Sequence, residues 1–125
     1  MLGYSIVGSN NLPAAKAFYA ALLGEMGITH LFDHPSGGAI FGADGKLRFG
    51  VLGPYDGQPH AVGNGQMTAF EASSRAEVDR LHAKALSLGA SNEGDPGPRG
   101  GDASPFYGSY VRDLDGNKLC IFKWG

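Results

Sequence analysis

The chain has 125 residues, a net charge of −2 and 42% hydrophobic residues, the size and apolar content of one domain with a core of its own. No run of Lys or Arg marks a nucleic-acid surface, and no apolar stretch reaches the ~18 residues that a membrane span needs. A single cysteine leaves no internal disulfide and fits a reducing cytoplasm, and residues 1–8 are too short and polar for a signal peptide.

Residues 4–8 give a short strand signal that stops at Ser9-Asn10-Asn11. Asn11 suits a helix N-cap and Pro13 a first turn, whose N–H groups have no helical partner anyway. Leu12, Ala15, Tyr19, Leu22, Leu23 and Met26 recur at helical spacing, with Lys16 and Glu25 on the wet side. Gly27 suits the position after the helix. Residues 28–33 and 38–42 read as strands joined by a turn at Pro35-Ser36-Gly37. Asp44-Gly45 is a hairpin signal into a strand from Lys46 to Leu52. Residues 54–65 carry Pro54, Gly57, Pro59, Gly63 and Gly65 and read as a linker.

The second half repeats the order. Residues 66–72 form a strand, and Ser74-Arg75-Ala76-Glu77 is a capping box that opens a helix. Val78, Leu81, Ala85 and Leu88 form its buried stripe, and Gly89 closes it. The Gly94–Gly101 stretch reads as a loop, being rich in Gly and Pro. Strands at about 106–112 and 117–123 flank the Asp115-Gly116-Asn117 turn. Tyr4 and Met67 stand 63 residues apart, as do Phe18 and Leu81. A unit this small cannot bury its own sheet. The reading is an α+β chain, a single domain over 1–125. It consists of β-α-β-β-β module one (1–53), the linker (54–65) and β-α-β-β-β module two (66–125), eight strands and two helices in all.

Those modules resemble the vicinal oxygen chelate superfamily of glyoxalases, bleomycin-resistance proteins and extradiol dioxygenases. The resemblance rests on residues 11–19 of the first helix, Gly63 to Phe70, Ser74 to Val78, and the closing Tyr110-Val111-Arg112-Asp113-Leu114-Asp115-Gly116-Asn117-Lys118-Leu119. It is most specific for a group of short glyoxalase-like proteins. It implies an open, partly closed sheet around a cleft between modules, and commonly a homodimer. In metal-binding members, His on the first strand of each unit and Glu on the last strand hold a divalent ion. Those positions fall here at Tyr4, Met67 and Cys120, with a fourth near Phe49. None is a usual ligand for the metals concerned, so the expectation is no metal and no other cofactor.

The resemblance therefore implies a metal-free protein that binds an apolar or aromatic small molecule. Bleomycin-resistance relatives are the precedent. Tyr4, Phe49, Met67 and Cys120 would line the cleft, with Tyr107, Tyr110 and Trp124 near its wall, or else fill the cavity as core. Arg99 would meet a ligand carboxylate or phosphate, or brace its own loop. The alternative is a glyoxalase-like lyase or dioxygenase-like metalloenzyme with a nonstandard site. Glu71 is the one carboxylate within reach of the cleft rim, with a solvated strand end as its plainer role. His30 and His34 are spaced to share a strand face, while His82 reads as a surface or partly packed residue on the outer helix. No catalytic residue is assigned. The expected setting is cytoplasmic, with a small-molecule ligand and a second copy as partners, and neither nucleic acid nor membrane.

Overall fold

The structure, a computed structural model, describes all 125 residues. Its compact units are Met1–Asn64 and Gly65–Gly125, so the chain divides at the end of the expected linker. In the first unit, β1 (Ser5–Gly8) leads into α1 (Leu12–Gly24). Next come β2 (Thr29–Asp33), β3 (Ala39–Ala43) and β4 (Lys46–Leu52). The second unit runs β5 (Thr68–Glu71), α2 (Arg75–Ser87), β6 (Ser91–Pro98), β7 (Phe106–Arg112) and β8 (Lys118–Trp124). The sheets have strand orders β1-β4-β3-β2 and β5-β8-β7-β6. In each, the first strand is parallel to the last and the remaining pairs are antiparallel. The duplication extends from element order to sheet topology.

The helices start where their caps direct. Asn11 Oδ1 accepts from Ala14 N at 3.2 Å, and Ser74 Oγ accepts from Glu77 N at 3.1 Å. The return arm of the second box lands one residue early: Glu77 Oε2 accepts from Ser73 N at 2.9 Å. Ala15, Phe18, Tyr19, Leu22 and Leu23 are the buried face of α1. Val78, Leu81, His82 and Ala85 are that of α2. Gly89 has φ +105° just past the C-cap Leu88, a left-handed conformation that glycine adopts without a Cβ clash. Asp44 and Gly45 have φ of 55° and 71°, the paired positive values of a type I′ hairpin turn. Asn10 fastens the linker to the first unit, its amide donating to His60 O at 3.0 Å and accepting from His60 N at 2.7 Å.

Two expectations change. The Gly- and Pro-rich stretch that reads as a loop in the sequence is mostly strand β6. This is an edge strand paired to β7 with register shifts at Asn92/Gly94 and Gly94/Gly97. An edge position with bulges tolerates Pro96, because the missing N–H interrupts no inner ladder. His82, read as a surface or partly packed residue, is packed more fully than that, at 4% exposed on the buried side of α2.

Candidate functional site

Side chains alternate between the faces of a strand, so register assigns each candidate to a side. In β7 and β8 the paired residues Ser109–Ile121 and Val111–Leu119 are all buried, as are the inward residues of α2, which packs on these strands. The intervening pairs, Tyr110–Cys120 and Gly108–Phe122, point to the opposite, helix-free side. Ala69, paired with Cys120, shares that side, and Met67 precedes the strand by one residue. Tyr107 has the other parity. Its hydroxyl donates to Asp79 Oδ1 of α2 at 2.6 Å, and the Arg75 guanidinium lies 5.1 Å from its ring centre. Tyr107 therefore belongs to the helix side and leaves the set that includes Tyr110, because residues three apart in one strand cannot share a face.

The same rule corrects Phe49. It pairs with Ser5, not with the parity of Tyr4, and its ring lies 4.7 Å from Tyr19 of α1. Phe49 is fully buried core of the first unit. Tyr4 precedes β1 and is half exposed, as is Met67 before β5.

The helix-free face of the second sheet gathers the remaining candidates. Cys120 is buried. Burial pushes its thiol up, against the pull of Tyr110, Arg99 and Lys118. Burial, with Cys120 alongside, raises the Tyr110 phenol. The guanidinium of Arg99 lies 5.3 Å from the Tyr110 ring centre, and the Lys118 ammonium lies 5.4 Å from the same centre. Arg99 Nη1 donates to Gly97 O at 3.0 Å and Nη2 to Asp95 O at 2.7 Å, so Arg99 braces its own strand. Arg112, paired with Lys118 in the ladder, is bound to Glu93 at 2.6 Å, and that contact holds the Glu93 carboxyl below its usual range.

Beyond Gly108 the same face is aromatic. Phe106 and Phe122 stack at 5.5 Å with their planes 7° apart, and Trp124 lies 6.5 Å from Phe106 at 66°. Lys118, Phe106 and Phe122 were missed in the sequence, although their parity with Tyr110 and Cys120 along each strand was the available signal.

The other candidates are held in local structure. Glu71 Oε2 accepts from Trp124 N at 3.3 Å and lies 3.7 Å from Lys123 Nζ. His30 and His34 do not meet: His30 pairs with Asp33 at 2.8 Å and His34 with Ser36 at 3.0 Å. A register shift between His30 and Phe32 breaks the alternation that would align them.

The divalent ion implied by the resemblance needs several imidazole or carboxylate donors converging on one point. No group of three or more His, Cys, Asp or Glu side chains is so placed. Met67 and Cys120 offer a thioether and a thiol whose deprotonation burial opposes. This donor set does not fit the metal, and no chemical step follows from one.

A family model described as Glyoxalase/Bleomycin resistance protein/Dioxygenase superfamily matches residues 2–121. A glyoxalase/bleomycin resistance protein from Albidiferax ferrireducens T118 is 35% identical, with a TM-score of 0.88 over 100% of this chain and 99% of that one. A Burkholderia phytofirmans PsJN protein, titled a glyoxalase/bleomycin resistance protein/dioxygenase family enzyme, shares the fold at 16% identity and TM-score 0.77, covering 98% of each chain. A structure titled lactoylglutathione lyase, from Agrobacterium tumefaciens, shares it at 20% identity and TM-score 0.71, covering 98% of this chain and 92% of that one. No curated protein matches the chain significantly.

Proposed function

Because this chain belongs to the Glyoxalase/Bleomycin resistance protein/Dioxygenase superfamily, we propose that it binds a small apolar or aromatic molecule on the helix-free face of its second sheet, without a metal. The observation that carries this reading is the stacked Phe106–Phe122 pair with Trp124 at its edge. The two rings are stacked on each other, so a third flat ring would extend the stack on an outer face or pack against the ring edges, gaining area burial there. Met67, half exposed just before β5, supplies an adaptable thioether near that strand's start. The reading includes a homodimer in the cytoplasm, which sedimentation tests as a mass near twice the 13.0 kDa chain.

The neutral probe 1-naphthamide tests the binding reading. Trp124 is the only tryptophan, so its indole N–H gives a single resonance that reports from the shelf itself. Titration should shift that resonance to saturation, and Phe122→Ala should weaken binding on the order of tenfold. Metal analysis of protein purified without chelators is the companion measurement. A stoichiometric Fe, Ni, Mn or Zn ion would overturn the metal-free part.

A further inference from the structure

The helix-free face of the second sheet carries more positive charge than its own carboxylates neutralise. Arg112 has Glu93, and Glu71 at the far end has Lys123. Arg99 and Lys118 have no carboxylate bound to them. The two hydrogen bonds of the Arg99 guanidinium go to backbone carbonyls, which leave its charge intact. The ammonium of Lys118 is held over the Tyr110 ring, with Glu93 acting on it only at longer range. Two cations held against one ring repel each other, and a partly buried setting strengthens that repulsion relative to water. In a chain of net charge −2, carboxylates are plentiful, yet none is placed between these two groups.

The backbone around Arg99 is shaped to keep its fork in place. A Cβ on Gly97 would stand 3.3 Å from Arg99 Nη1, and one on Gly94 would stand 3.2 Å from Nη2. With its carbonyl bonds made, the fork is ordered before any ligand arrives, so little side-chain entropy is left to lose. The aromatic pair lies one strand repeat away. Tyr110–Cys120 and Gly108–Phe122 are successive pairs on this face, about 7 Å apart along the strands. That separation suits a one- or two-ring system joined directly to a carboxylate.

We propose that Arg99 and Lys118 form a carboxylate seat, and that the ligand of this face is an aryl carboxylate whose ring packs against the Phe106–Phe122 stack. The proposal rests on the binding reading above and specifies its ligand class. Arg99 supplies a planar fork and Lys118 a point charge, each lying against the Tyr110 ring.

The test compares 1-naphthoate with its neutral isostere 1-naphthamide, each titrated while the Trp124 indole resonance is followed. Naphthoate should bind on the order of tenfold tighter, the usual advantage of charge-assisted hydrogen bonds. Lys118→Gln should weaken naphthoate several-fold more than naphthamide and so remove most of that preference. Because the Lys118 side chain makes no hydrogen bond within the fold, this variant keeps the test valid if Arg99→Gln loosens β6. Arg80→Gln, a surface cation of α2, should leave both affinities unchanged. Equal affinity for the two probes, or a naphthoate preference that survives Lys118→Gln, would overturn the carboxylate seat and leave the aromatic binding reading standing. No shift of Trp124 with either probe at millimolar concentration would overturn both.

Discussion

Arg99 crosses the bare backbone of Gly94 closely enough that a β-carbon there would stand 3.2 Å from Arg99 Nη2 and 2.9 Å from Tyr110 Cδ2. Gly94 lies in a strand and has no positive φ, so alanine would ordinarily stabilise it by reducing unfolded-state freedom, by about 0.4–1 kcal/mol. Contact decides the sign instead. The Tyr110 ring has to turn and Arg99 has to leave the Asp95 carbonyl. Gly94→Ala should therefore cost about 1–3 kcal/mol in urea unfolding, as overpacking does. Gly3, with nothing within 4 Å, should tolerate alanine with a change below ~0.5 kcal/mol. A stabilised Gly94→Ala variant would show that the Arg99 fork is not held there.

The final turn provides a second prediction. Asp113 Oδ1 accepts from Asp115 N and Asn117 N, each at 2.9 Å, and Oδ2 accepts from Asn117 Nδ2 at 2.9 Å. Asp113 is 6% exposed, so removing its carboxylate leaves buried donors unsatisfied. Asp113→Ala should cost about 2–4 kcal/mol, whereas the more exposed Asp115→Ala should cost less than half as much. Thermal or urea unfolding of the two variants decides the order. Equal losses would place the turn's stability in the Asp-Gly pair rather than in Asp113.

Periodicity and turn chemistry made most of the architecture legible. Asn11, Ser74 and Glu77 marked helix starts through their cap chemistry, and Asp44-Gly45 marked a hairpin through its need for positive φ. Strand β6 was hidden because glycine has two meanings. Gly94 and Gly97 serve close approach by the Arg99 side chain, but in a linear sequence they resemble turn residues. Site membership failed for a different reason. Tyr107 and Phe49 are the right residue types for a ligand cleft, yet Tyr107 has the helix-side parity of its strand and Phe49 packs on Tyr19 of α1. Type can be read from sequence directly, whereas face depends on register, and a one-residue slip inverts it. His82, read as a surface or partly packed residue, lies deeper because its position on α2 is buried, and an imidazole without well-formed hydrogen bonds is a rare occupant of such a place.

Cys120 should be an inert thiol. It is 1% exposed, and burial raises its pKa despite the nearby Arg99 and Lys118 charges. The reactive thiolate is therefore scarce at neutral pH, and attack requires a local opening. The folded protein should react with a disulfide reagent at pH 8 on the order of a hundredfold more slowly than the urea-unfolded chain. The Arg99→Gln and Lys118→Gln pair should slow it further, since both cations pull the thiol down. Labelling at the unfolded rate in the folded state would show Cys120 to be accessible, and this face to be more open than its packing indicates.

His82 should make the fold acid-sensitive. Neither ring nitrogen makes a hydrogen bond of ordinary geometry, although the Asn92 side chain acts on the ring as a weak hydrogen-bonding neighbour. Burial lowers its pKa below 6.5, partly opposed by Asp95, by Asn92 from β6 and by Asp79 on its own helix. The unfolded chain therefore binds a proton near pH 6.5 while the folded chain does not. By linkage, the stability from neutral His82 is intact above about 6.5 and is lost as pH falls toward the lowered folded value. The carboxyls of Asp33, Glu77 and Glu93 are also lowered, from ordinary values of 3.8 and 4.5, so their losses begin at more acidic pH. The urea midpoint should drop between pH 7 and pH 5 in the parent protein, and drop less in His82→Leu. Equal drops in both proteins would assign the acid sensitivity to other groups and show that the buried imidazole gains a partner in solution.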